Sequence, residues 1–428
     1  MKQLFNTLFL IILSYTMQAQ TVLTLKEAIA LGLKNNDNIA ISKLNEDIDN
    51  MQVYKANVGW APQLDWNFNF NGSVNNVNQE FFDGRNINRF GRTLAPNTNV
   101  IVNYPLYDGG RMKTQLELLR EAGKRTNIMT KSIAEQVEDD ITITYFAISR
   151  QQATLDFLNS LIKYYEERQT ITEQRWQIGR GSKLDYLQSQ NDLNTQLAAI
   201  KGAEIEVKNL KIQLNLLVNR PPDTQFEVEE LTQSVELYTF EASLKNAEDN
   251  SEDLAMIEQD LTINALRVKE IQLTNKPRIG VFSSFGYSLS NTNAGLILLN
   301  QNLGLNGGFS ATWNLFDGGN IKKQTEIAKY RSKILFKQRE LINQNIKSAL
   351  SLAFNQWISF KEMLLLEESN KKLAEENLAI AQEKFKLGSS TVLEVNDAQQ
   401  RYDAAVNRYL TTLYNVKFAA LDIERLSR

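Results

Sequence analysis

Between Gln63 and Asn71 apolar and polar residues alternate without a break: Leu64, Trp66, Phe68 and Phe70 against Gln63, Asp65, Asn67, Asn69 and Asn71. That period of two predicts a strand with one apolar face. A return strand carries Val100, Val102, Tyr104 and Leu106. The same pattern comes back later in the chain, with Ile279, Val281, Phe285, Tyr287 and Leu289, then Leu305, Phe309, Ala311, Trp313 and Leu315, opposite Ser, Asn and Gly. After Asp108-Gly109-Gly110 and again after Asp317-Gly318-Gly319 the rhythm changes to steps of three and four, the seam of a long packed helix. Val137, Ile141, Thr144, Ile148, Gln151, Leu155, Leu158, Ile162 and Tyr165 mark the first seam. Ile346, Leu350, Ala353, Trp357, Phe360 and Leu364 mark the second. With no Pro between Gly110 and Ile178, the first helix runs for roughly 65 residues, a rod of about 100 Å.

The chain is written twice. Tyr104-Pro105-Leu106-Tyr107-Asp108-Gly109-Gly110 returns as Trp313-Asn314-Leu315-Phe316-Asp317-Gly318-Gly319, and Arg175-Trp176-Gln177-Ile178-Gly179 as Lys384-Phe385-Lys386-Leu387-Gly388, both 209 residues on. Asp185 and Glu394, Gln190 and Gln399, and Lys113 and Lys322 keep that offset. Pro62 and Pro277 stand 215 apart, so six residues of difference fall before Asp108. Each copy reads as helix, strand pair, long helix, hairpin and returning helix, and a repeat of this kind sets the fold before any single element does. Asp108 and Asp317, with their glycines, read as strand-to-helix turns and N-caps. Asn71 to Thr98 and Ser290 to Gly304 read as exposed loops.

Lys2, the apolar run from Leu4 to Tyr15 and the small-residue region at Met17-Gln18-Ala19-Gln20 predict an export signal over residues 1–20. The rest divides into a first repeat at 21–220, a linking segment at 221–240 around Arg220-Pro221-Pro222, and a second repeat at 241–428. Beyond the signal no run of about 20 apolar residues occurs, which leaves a β-barrel as the way to cross a membrane. The chain has neither Cys nor His, which removes thiol and imidazole chemistry and the usual zinc sites. No enzyme activity, cofactor or metal is expected, and a net charge of −3 without a basic cluster sets nucleic acid aside.

Four strands cannot close a barrel, and an open edge in hydrocarbon leaves backbone groups unpaired at several kcal/mol each. The subunit must therefore oligomerise. Eight strands from two chains would be filled by side chains, whereas twelve from three leave an aqueous lumen for the polar face.

These residues resemble the TolC-like outer-membrane efflux protein family over about Thr21 to Arg428. The resemblance rests on the duplicated Leu-(Tyr/Phe)-Asp-Gly-Gly at 106–110 and 315–319, the duplicated hairpins, and the start Leu23-Thr24-Leu25-Lys26-Glu27-Ala28-Ile29. It implies a mainly α protein with a membrane β-barrel: a homotrimer whose twelve-stranded barrel in the outer membrane is continuous with a twelve-helix α-barrel in the periplasm. It implies a periplasmic adaptor, and an inner-membrane pump or ABC transporter, as partners besides outer-membrane lipid. The hairpin tips would meet the adaptor through Gly179, Arg180, Gly181, Ser182 and Leu184, with Gly388, Ser389, Ser390, Thr391 and Leu393. The family's acidic gate ring falls on Glu394 and Asp397, and its first-hairpin latch carboxylate on Asp185. Ser390 stands where the best-known member has the latch's basic partner, with Arg180 or Lys183 as substitutes. A non-conducting coiled-coil protein of the envelope would account for the helices but not for the amphipathic strands. A secreted enzyme would need a carboxylate pair in a cleft.

Overall fold

A computed structural model describes residues 22–229, 239–294 and 297–428. The export signal assigned to residues 1–20 lies outside the described residues, as does most of the second half of the linking segment. The chain forms two compact units: residues 44–127 with 256–339, and the remainder. No helix among the described residues is long and apolar enough to cross a membrane.

In chain order the elements are β1 (Val22–Leu23), α1 (Leu25–Asn35), α2 (Asp37–Gln52), β2 (Gln63–Glu80), β3 (Asn86–Tyr107), α3 (Arg111–Gln177) and α4 (Lys183–Leu217). They continue with β4 (Glu227–Val228), α5 (Phe240–Asn250), α6 (Glu252–Leu273), β5 (Arg278–Thr292), β6 (Leu299–Thr312), α7 (Asn320–Lys386) and α8 (Val392–Leu426). α3 and α7 are each 67 residues long, and α4 and α8 each 35. Every boundary of the later pair lies 209 residues after its counterpart. The turns that start α3 and α7 are built alike. Asp108 accepts from the amides of Gly110 (3.2 Å) and Met112 (2.7 Å), and Asp317 from those of Gly319 (3.0 Å) and Ile321 (2.7 Å), which satisfies donors a helix start otherwise leaves orphaned.

In the first unit the strands form one antiparallel sheet in the order β2-β3-β5-β6. Its register aligns Trp66, Val100, Phe285 and Leu305 in one row and Phe68, Thr98, Tyr287 and Leu303 in the next, so the apolar sets share a face. The other face carries rows such as Asn69, Asn97, Ser288 and Asn302. Among the described residues no strand pairs with the outer edge of β2 or of β6.

The loops expected at Asn71–Thr98 and Ser290–Gly304 are far shorter. Pairing continues from Asn71↔Ala95 out to Glu80↔Asn86, leaving residues 81–85 as the turn, and in the second hairpin to Asn291↔Leu299. Polar residues on both faces erase the period-2 signal there, but strand pairing is a backbone interaction and needs no apolar face. The first hairpin's extra length therefore lies in paired strand, 18 residues in β2 against 15 in β5. Pro96, which has no N–H to give, falls where the β3–β5 pairing skips from Leu94↔Asn291 to Asn97↔Ser288.

The second unit has two equivalent cores. Ile141, Tyr145, Ile148 and Leu214 pack with Leu23, Ala28 and Phe226. Their counterparts 209 residues on, Leu350, Phe354, Trp357 and Ile423, pack with Ala247. Tyr145 is fully buried; its hydroxyl donates to Leu23 O (2.8 Å) and accepts from Glu229 N (2.9 Å), beside the parallel pair β1–β4. Tyr145→Phe removes both bonds and leaves the carbonyl of buried Leu23 without this partner, so urea unfolding should show a loss of about 1–3 kcal/mol. An unchanged midpoint would mean that water replaces the hydroxyl.

Candidate functional site

The two hairpin tips share one construction. Gly179 (φ 73°) and Gly388 (φ 80°) end α3 and α7 in the left-handed region. Gly179 N donates to Trp176 O (3.0 Å) and Arg180 N to Arg175 O (2.8 Å); Gly388 N donates to Phe385 O (3.0 Å) and Ser389 N to Lys384 O (2.9 Å). This paired closure of a helix end calls for a residue without Cβ strain. Ser182 then caps α4 by accepting from Leu184 N (3.0 Å), and Thr391 caps α8 by accepting from Glu394 N (3.3 Å). Gly181 packs against Arg175, where a Cβ would come within 2.9 Å of the arginine's own. Leu184 and Leu393 project from the tips, 70% and 71% exposed.

Glu394 and Asp397 are exposed one turn apart in α8. Ser390, at the position expected for a basic latch, donates its hydroxyl to Glu394 Oε2. Asp397 faces Arg401 Nε at 2.8 Å, both side chains largely solvated, a pairing not anticipated from the sequence. Asp185 stands in the first turn of α4. Of the substitutes for the latch, Lys183 lies over the Trp176 ring at 5.6 Å, and that ring stacks on Tyr186 at 5.4 Å. Next to the tips Arg175 ties one hairpin to the other: its guanidinium donates to Phe385 O and lies over the Phe385 ring at 4.4 Å, and Lys386 of α7 faces Glu167 of α3 at 3.5 Å.

Behind the tips a buried polar network joins three helices. Arg168 of α3, 3% exposed, donates to Asp192 of α4 (2.6 Å) and to Gln399 Oε1 of α8 (3.2 Å). Its guanidinium lies 5.3 Å from the ring of Tyr165, whose hydroxyl donates to Asp403 Oδ2 (3.1 Å). Thr172 and Ser189 exchange a 2.6 Å hydrogen bond alongside. Burial pushes the Asp403 carboxyl up to about 6, with the Tyr165 hydroxyl and the Arg168 charge pulling the other way. Burial, then the Asp403 charge, raises the Tyr165 phenol, and burial lowers Arg168 against the pull of Asp192. Arg168 and Thr172 continue the three-and-four seam beyond Tyr165, and a charge in a seam position was the signal available in the sequence. Among the described residues no group of His, Cys, Asp and Glu is placed to hold a metal.

The family model described as "Outer membrane efflux protein" matches residues 28–220 and 243–427. No curated protein matches the chain. Solved structures similar to it include the outer membrane channel CmeC of Campylobacter jejuni, at 16% identity and a TM-score of 0.72, covering 94% of this chain and 85% of that one. The outer membrane protein VceC of Vibrio cholerae is 15% identical, with a TM-score of 0.70 and coverages of 94% and 96%. A membrane protein from Pseudomonas aeruginosa is 15% identical, with a TM-score of 0.75 and coverages of 94% and 90%. At these identities the structural likeness is one of fold.

The buried network carries a pH dependence. Asp403 has its folded pKa above the ordinary carboxylate value, so the unfolded chain holds fewer protons between pH 4 and pH 6 and stability falls as pH rises through that window. Glu135, pushed up to about 7 by burial and by Glu252, and Asp139, pushed up to about 6 by burial, act in the same direction. The urea midpoint of the wild type should therefore drop between about pH 4 and pH 7, and Asp403→Asn should flatten its own share of that slope. A slope identical in the variant would remove Asp403 from the account.

Proposed function

We propose, for a chain that belongs to the outer membrane efflux protein family, that it is the exit duct of a tripartite efflux or type I secretion system. Members of that family are transport channels, not enzymes. Three copies close a twelve-stranded barrel in the outer membrane, and their helices line a periplasmic tunnel that takes substrate from an inner-membrane pump or ABC transporter through an adaptor. The observation that carries this reading is the sheet: one apolar face, one polar face and two open edges. Such a sheet cannot stand alone in hydrocarbon, where every backbone group needs a partner. An envelope coiled coil that conducts nothing has no use for it.

In this reading the hairpin tips are the gate and the adaptor surface. Leu184 and Leu393 offer apolar contacts to the adaptor, on turns set by Gly179 to Ser182 and by Gly388 to Thr391. Glu394 supplies the acidic ring. Asp397 adds less than its position suggests, because Arg401 partly offsets its charge. Arg175 takes over the tie between hairpins that Ser390 leaves vacant.

Purified mature protein should extract in detergent as a trimer and conduct in planar bilayers; a soluble, silent monomer would sink the reading. Glu394→Gln should lower cation selectivity in a salt gradient more than Asp397→Asn does, and unchanged reversal potentials in both would remove the ring. Arg175→Ala should raise the frequency of open, high-conductance events severalfold. Unaltered gating would show that Arg175 only packs.

A further inference from the structure

The apolar face of the sheet ends, on the side where the two long helices begin, in a rim of rings. The register of β3 shifts between Pro105 and Tyr107, which sets Tyr107 opposite Ile279 on the apolar face, 45% exposed. Trp313, 60% exposed, donates its indole N–H to Asn275 O at 3.0 Å, so its one polar atom is held by backbone while the ring stays open. Phe316 follows, still more exposed. Trp60, just before β2, carries the Lys55 ammonium 5.6 Å from its ring.

Cations crowd the same rim. Lys276 lies against the Asp108-Gly109-Gly110 turn, close enough that a Cβ on Gly109 would stand 2.5 Å from its own. Lys113 is in the first turn of α3, Lys322 and Lys323 are in the first turn of α7, and all of these lysines are exposed. The nearby aspartates have other partners: Asp108 and Asp317 bond the amides of the helix starts they cap, and Asp108 also faces Arg111 Nε at 3.9 Å. Glu326 faces Lys323 at 3.0 Å.

Exposed rings at an apolar boundary, with cations immediately beyond and few free carboxylates, complement a layer that is apolar inside and anionic at its surface. We propose that this rim is a docking site for anionic glycerophospholipids, with Lys276, Lys322 and Lys323 taking the headgroup phosphodiester and Tyr107, Trp313 and Phe316 lying along the acyl chains. The proposal rests on the sheet being a membrane wall.

The test places the purified protein in phosphatidylcholine nanodiscs into which phosphatidylglycerol is titrated, with retained lipid counted by native mass spectrometry. The wild type should retain phosphatidylglycerol about tenfold over phosphatidylcholine, with the preference falling as salt is raised. The variant K276Q/K322Q/K323Q should lose at least fivefold of it, about one lysine's worth at a lipid surface. Equal retention of the two lipids by the wild type, a preference indifferent to salt, or an unchanged preference in the variant would overturn the proposal. Conductance in pure phosphatidylcholine bilayers, recorded for both proteins, keeps the readings apart. Current in the variant equal to wild type is expected, and a protein that selects phosphatidylglycerol but passes no current would overturn the channel and leave the headgroup site standing.

Discussion

An unpaired row of backbone amides and carbonyls is the constraint from which the rest follows. The outer edges of β2 and β6 each present such a row, next to a face of Trp, Phe and Leu that water does not favour. In water an edge of that length invites uncontrolled pairing; in hydrocarbon its cost exceeds the whole stability of an ordinary domain. Each edge calls for another strand laid against it in register, along 18 residues of β2 and 14 of β6. The duplication supplies half of the solution within the chain, since β3 and β5 come from different copies and pair with each other.

The helices repeat the same logic with side chains. A 67-residue helix holds its place by a seam, not by propensity, and the two buried clusters around Ile141 and Leu350 are the same seam positions 209 residues apart. Near the tips the seam changes character and becomes polar around Arg168. Removing one member of a buried charged group leaves another uncompensated, at about 3–5 kcal/mol. The network therefore penalises any slip of α3 against α4 and α8, since a slip would part Arg168 from Asp192 and Gln399.

Much of this was legible in the residue order. Period-two alternation marks the four strands of the large sheet and their apolar face but not the two-residue β1 and β4, and the Asp-Gly-Gly turns mark the helix starts at Arg111 and Asn320. Strand ends were misjudged where both faces are polar, because a pattern of side chains cannot report a ladder made of backbone. The tie between hairpins was invisible for another reason: Arg175 and the Phe385 carbonyl lie 210 residues apart, and an acceptor that belongs to every residue leaves no mark in the sequence. The pairing of Asp397 with Arg401, one turn apart on α8, is by contrast a local feature that the i, i+4 spacing carries in the sequence.

The equal lengths of the two hairpin arms restrict how such a protein can change over time. Deleting one residue from α3 would turn everything beyond it by about 100° and draw it back about 1.5 Å, moving Arg175 away from Phe385 and Arg168 away from Gln399. A change in one arm alone is thus punished at the tip however well that arm still folds. Lengths can drift only when both copies gain or lose together, and in steps near a heptad that restore the facing side. Reach, in this architecture, is inherited as a pair.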